Sequence, residues 1–128
     1  MSIAEPTTIG LSEGAHEKLK RLQEERQFRE LLDGYRFAIG LALAQGVEPP
    51  EVQKRTTIFN VGTVDPDQYL KRSIEALMGD RVRGVSIYKM AERLAEWGVN
   101  ELAAQAEVGS LDFVSLLNLA GDKEAADT

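Results

Sequence analysis

The sequence predicts a mainly α protein: five or six helices behind a short N-terminal strand, with a second extended segment near residues 56–64. Three observations carry this reading. Apolar residues recur at spacings of three and four along most of the chain, Ser or Asp stands where helices would begin, and Gly stands where they would end. No period of about 20–50 residues repeats, which excludes a solenoid.

Thr7-Thr8-Ile9-Gly10-Leu11 alternates polar or small residues with apolar ones and reads as the strand. Ser12 follows as an N-cap, and a helix from Glu13 places Ala15, Leu19, Leu22 and Arg26 on one side. Glu17 and Arg21 form an i,i+4 pair on its outer face. The next apolar set runs from Phe28 through Leu31, Leu32, Tyr35, Phe37, Ala38, Ile39, Leu41, Ala42 and Leu43, and covers most of a helix circumference. Such a helix is buried on several sides, as a central helix or as one shared with another subunit. Gly34 and Gly40 each weaken it by about 1 kcal/mol, which points to close approach by a neighbour. Gly46 supplies the C-cap, and Glu48-Pro49-Pro50 prevents continuation.

In the following stretch, residues 51–64, Ile58, Val61 and Val64 stand among Thr, Asn and Gly, and the segment reads as extended. In DPDQ, Asp65 reads as an N-cap, Pro66 as the first helical residue, Asp67 as a first-turn acid and Gln68 as the capping-box partner. Tyr69, Leu70, Ser73, Ile74, Leu77 and Met78 then form an inner face that ends at Gly79. After a polar link at residues 80–84, Ser86 caps a helix built on Ile87, Met90, Ala91, Leu94 and Trp97, with Gly98 as its stop. A short helix from Asn100 presents Leu102, Ala103 and Ala106 before Gly109. Ser110 caps a last apolar segment with Leu111, Phe113, Val114, Leu116, Leu117 and Leu119.

At 128 residues the chain is expected to hold one helical domain over 7–120, divided into a strand-helix-helix part (7–46) and C-terminal helices (65–120). Residues 1–6 and the acidic 121–128 read as flexible ends. With no cysteine, thiol catalysis, Cys-rich zinc sites and a disulfide scaffold are excluded. The start carries no basic leader with an apolar run, and the apolar stretch from Tyr35 to Ala44 is about half a bilayer span, so a cytoplasmic protein without membrane contact is expected.

Candidate chemistry is sparse. His16 has no second His or Cys to share a metal, and Asp65 with Asp67 would hold a divalent cation only if the capping reading failed. No GxxxxGK[ST], GxGxxG or GxSxG run occurs, so catalytic residues, cofactors and metals are all expected to be none. The eight aromatics read as core rather than as a stacking platform for single strands. Net charge is −6, which disfavours nonspecific binding to nucleic acid. It divides unevenly, since residues 1–60 hold 8 basic and 9 acidic side chains and residues 61–128 hold 7 and 12. Phosphate contact is therefore sought in the first half, against the plainer reading of these cations as solvated helix faces. Arg81, Arg83 and Lys89 give a second anion signal, diluted by Asp80.

The run TTIGLSEGAHEKLKRLQEERQFRELLDGYRFAIGLALAQG resembles the ribbon-helix-helix pattern, over about a third of the chain. The resemblance implies two chains whose strands pair into a ribbon for the major groove and whose second helices intertwine. The same run, with TTIFNVG, DPD and AERLAEWGVNEL after it, also resembles small accessory proteins of bacterial DNA phosphorothioation (Dnd) and related antiphage systems. Thr8, Lys18, Arg21, Arg29, Lys54 and Arg55 are the expected nucleic-acid contacts, and Ile9, Leu11, Leu31, Tyr35, Ala38, Ile39 and Ala42 the expected oligomer interface. Two departures weigh against base reading: Thr8 and Gly10 would face outward where Arg, Lys, Asn or Gln is wanted, and the turn at residues 26–29 lacks a Ser or Thr cap. The resulting expectation is a non-enzymatic, homo-oligomeric accessory protein with protein partners. The alternative is a DNA-binding regulator of the ribbon-helix-helix type.

Overall fold

The computed structural model describes residues 5–82 and 84–108. The expectations for the Ser110 segment and the tail lie outside these residues. The order is β1 (Thr8–Ser12), α1 (Glu13–Glu24), α2 (Leu31–Gln45), β2 (Arg55–Asn60), α3 (Val61–Val64), α4 (Tyr69–Met78), a 3-10 turn (Gly79–Val82) and α5 (Ile87–Val108). Among the described residues the protein is mainly helical with one small two-stranded sheet, in keeping with the predicted fold class.

Ser12 caps α1 as expected, its Oγ accepting the Ala15 N–H at 3.2 Å. Ala15, Leu19 and Leu22 form the inner face, while Arg26 lies beyond the helix and is exposed. Glu17 pairs with Lys20 at 3.3 Å rather than with Arg21. Helix α2 begins at Leu31; Phe28 precedes it and packs its ring 5.8 Å from that of Phe37. Gly46 ends α2 in the left-handed region at φ 66°, as a C-cap requires.

The all-round apolar α2 is the central helix of the single chain. Ile9, Leu11, Tyr35, Ala38, Ile39 and Ala42 are fully buried, and Leu31 is partly buried against the same core. The seven residues expected at an oligomer interface are thus covered by the chain's own elements, of which α5 packs most extensively on α2. Burial of this set needs no second subunit, which corrects its assignment.

Gly98 explains how α5 comes so close. A Cβ there would stand 2.1 Å from the Ala38 carbonyl oxygen, so only glycine lets the two backbones cross at this point. Gly98 therefore lies inside one continuous 22-residue helix and does not stop it. Backbone contact outweighs the roughly 1 kcal/mol helix penalty that suggested a break. Of the two glycines in α2, Gly34 is closely approached, by Leu19 and Phe28, whereas Gly40 faces open space.

Residues 55–60 are extended as predicted, but 61–64 form a single helical turn. β2 pairs antiparallel with β1, Ile9 opposite Phe59 and Ser12 opposite Arg55, with an irregularity between Ile9 and Gly10. There Gly10 presses on Thr56, whose carbonyl oxygen would lie 1.8 Å from any Cβ. Gly10 is buried rather than facing outward.

The DPDQ reading is corrected in register and kept in chemistry. Helix α4 starts at Tyr69 behind Gln68, which sits in the left-handed region, so Pro66 and Asp67 precede the helix. Asp65 nonetheless caps it from a distance, its carboxylate accepting the Leu70 and Lys71 N–H groups at 3.0 Å each. Tyr69 and Leu77 are exposed, which narrows the apolar inner face of α4 to the buried Ile74 and Met78 and the partly buried Leu70. Ser86 caps α5 through the Lys89 N–H at 3.1 Å, as predicted.

Two substitutions test the crossing. Gly98→Leu should lower unfolding stability by about 3 kcal/mol, because the added side chain must force α2 and α5 apart, whereas Gly40→Ala should raise it by roughly 0.5–1 kcal/mol. Urea denaturation reads both, and a neutral Gly98→Leu would contradict the packing.

Candidate functional site: the β1–α5 carboxylate seam and the cations around it

A two-stranded sheet leaves each strand one edge without a strand partner, and its polar groups must be bonded elsewhere. On β1 the answer comes from side chains. The Gly10 N–H donates to Glu92 Oε2 at 2.9 Å, and the Gly10 carbonyl accepts the Tyr35 hydroxyl at 3.0 Å. Two residues on, the Ser12 N–H and hydroxyl donate to Glu96 at 2.9 and 2.6 Å. Glu92 and Glu96, one turn apart on α5, thus match the two-residue repeat of a strand edge.

Glu92 is only 3% exposed. A carboxylate so placed needs compensating charge and hydrogen bonds. Arg55 Nη1 stands 3.1 Å from Glu92 Oε2, and Lys89 Nζ 3.7 Å from Oε1. Arg55 also reaches Thr8 Oγ1 at 3.4 Å. Burial, joined by the nearby Glu92 charge, pushes the Tyr35 hydroxyl well above its usual range, so it stays a donor.

A second buried group lies at Asp65, whose Oδ2 accepts the Tyr88 hydroxyl at 2.9 Å as well as the Lys71 N–H. Burial and the Asp65 carboxylate push Tyr88 up to about 12. The capping reading of Asp65 is the one its contacts express. His16, on α1, is held below its ordinary value by partial burial and by Lys20. Among the described residues no cluster of three His, Cys, Asp or Glu is placed to hold a metal, and no helix is long and apolar enough to cross a membrane.

The six expected nucleic-acid contacts separate into three places. Lys18 donates to Asn100 at 2.9 Å and, with Arg21, borders a groove of about 120 Å³ between α1 and the end of α5. Arg29 lies beyond α1 beside Arg26 and Phe28. Thr8, Lys54 and Arg55 meet at the sheet, where Lys54 and Arg55 line a depression with Lys89 and Arg93. Arg81 is spent on two helix ends, donating to the Met78 and Leu77 carbonyls of α4 and to the carbonyl of Gly46, the C-cap of α2.

Sequence reasoning missed Glu92, Glu96 and Arg93. Lys89, Glu92, Arg93 and Glu96 do share an i, i+3, i+4, i+7 spacing, a second polar stripe beside the apolar one. The two glutamates within it, four apart and repelling, were the available signal.

No family model, no curated protein and no solved structure matches this chain.

Tyr88 gives a pH test. Its folded-state proton is held to about 12, against about 10 when unfolded, so its stabilisation is complete below pH 10 and is lost as pH rises through 12. Tyr88→Phe should cost about 1 kcal/mol at neutral pH and should flatten the alkaline decline. Urea unfolding at pH 8 and pH 11 measures both, and an unchanged decline would contradict the assignment.

Proposed function

We propose that this chain is a non-enzymatic accessory protein that acts through its surface beside DNA-modification or defence machinery. The observation that carries the non-enzymatic part is where the withdrawn ionisable groups go. Glu92, Asp65 and Tyr35, all buried, and the half-buried Glu96 are each bonded to backbone groups of another element or turn. The hydrogen bonds of these groups go to the scaffold, even where Glu92 and Asp65 border surface depressions, and this commitment to backbone partners is what supports the non-enzymatic reading. The link to DNA-modification systems rests on the resemblance of TTIFNVG, DPD and AERLAEWGVNEL. Self-association through α2 is not part of the proposal, because its apolar face is already covered within the chain.

The second reading, a DNA-contacting regulator, is favoured by the meeting of Lys54 and Arg55 with Lys89 and Arg93 around one depression. It does not need the two-chain ribbon, since β1 pairs with β2 of its own chain and its other edge is closed by α5.

The test is co-expression of the tagged full chain with the products of the genes next to its own, followed by size exclusion after nuclease treatment. Co-elution with a DNA-modifying or nuclease protein is expected. Elution alone at low salt would overturn the accessory reading.

A further inference from the structure

The chain approaches β2 through Lys54, whose backbone sits in the left-handed region at φ 49°. Lys54 and Arg55 are thereby placed across from one turn of α5, which carries Lys89 and Arg93 four residues apart. Together with Glu51, Val52 and Glu92 these side chains line a depression of about 290 Å³. That is near the lower end of small-ligand sites, which begin at roughly 300 Å³.

Charge bookkeeping singles this place out. Four cations face two carboxylates, a local surplus of two positive charges in a chain of net charge −6. That surplus already counts both carboxylates, and neither holds the outer cations tightly. Glu92 is already held by the Gly10 N–H and Arg55, and Glu51 is mostly exposed and reaches Arg93 only at a stretched 3.8 Å. Lys89 is likewise loosely engaged, 3.7 Å from Glu92. Arg55 Nη1 is buried and charge-paired, yet has no hydrogen-bond partner among the described residues. A tetrahedral oxyanion supplies what Lys54, Lys89 and Arg93 lack, acceptors for several N–H donors and negative charge to balance the surplus, while Arg55 Nη1, buried against Glu92, lies out of its reach.

We propose that the depression is a phosphate-binding site, with Lys54, Lys89 and Arg93 closing on the anion and Arg55 fixed behind them by Glu92. The phosphate comes from a nucleic-acid backbone or from a small phosphorylated molecule. The site rests on the same depression as the DNA-contacting reading and deepens it, and it stands independently of the accessory-protein reading, which concerns a protein partner.

The experiment titrates the full chain with inorganic phosphate, a 5′-mononucleotide and a short DNA duplex at low salt, following backbone amide resonances. Shifts centred on Lys54, Arg55, Lys89 and Arg93 are expected. Lys54→Gln combined with Arg93→Gln, which leaves the Glu92–Arg55 pair intact, should weaken phosphate binding by about tenfold or more. Lys18→Gln, on the far groove, should leave it unchanged. Should the double variant not fold, Lys89→Gln carries the same expectation of weaker binding.

If the duplex is the source, its affinity should fall with salt, and the double variant should reduce the log–log slope by about 2. If the mononucleotide binds and the duplex does not, the source is a small phosphorylated molecule. Absence of shifts with all three ligands, or wild-type binding by the variants, overturns the proposal.

Discussion

The fold depends on two carboxylates of α5 completing a strand they do not belong to. Among the described residues β1 has a strand partner on one side only, and its other edge would leave the buried Gly10 N–H and the part-buried Ser12 N–H without acceptors. Glu92 and Glu96 accept them instead. Burying Glu92 is costly, and the cost is offset by the Gly10 N–H, by Arg55 from β2 and by Lys89. One side chain thereby ties β1, β2 and α5 together, joining Gly10, Arg55 and Glu92, which are more than thirty residues apart in sequence.

Glycine makes that closeness possible. Gly98 lets α5 lie directly on α2, and Gly10 lets β1 press against Thr56. The Tyr35 hydroxyl then rises from α2 to the Gly10 carbonyl, while its ring meets Phe59 edge-on at 5.3 Å. Tyr35 is thus both core and polar connector, which is why the central helix tolerates a buried hydroxyl.

Local signals in the sequence were legible where the chemistry is local. Ser12, Ser86 and Gly46 cap the helices they were read to cap, and the apolar spacing of Ala15, Leu19 and Leu22 locates the inner face of α1. What failed depends on contacts distant in sequence. Gly98 looks like a stop until α2 is known to pass beneath it, and Glu92 looks like a surface residue until the β1 edge is known to face it. Asp65 shows a middle case, in which a capping carboxylate was recognised and the helix start was misplaced by the turn at Gln68. The candidate site was largely legible: Lys54 and Arg55 were singled out and Lys89 was read as part of a second anion signal, but Arg93 was overlooked and nothing local joined the two sets.

The same seam shapes the functional reading, because by holding Arg55 it fixes one wall of the cationic depression. The most direct test of its central role is native-state hydrogen exchange at the Gly10 and Ser12 amides, in the parent chain and in Glu92→Gln. In the parent, both amides should be protected to nearly the global unfolding free energy. Glu92→Gln should lower the protection of Gly10 by at least about tenfold, since a neutral amide is a weaker acceptor and leaves Arg55 uncompensated. Fast exchange of both amides in the parent, or unchanged protection of Gly10 in the variant, would contradict the account.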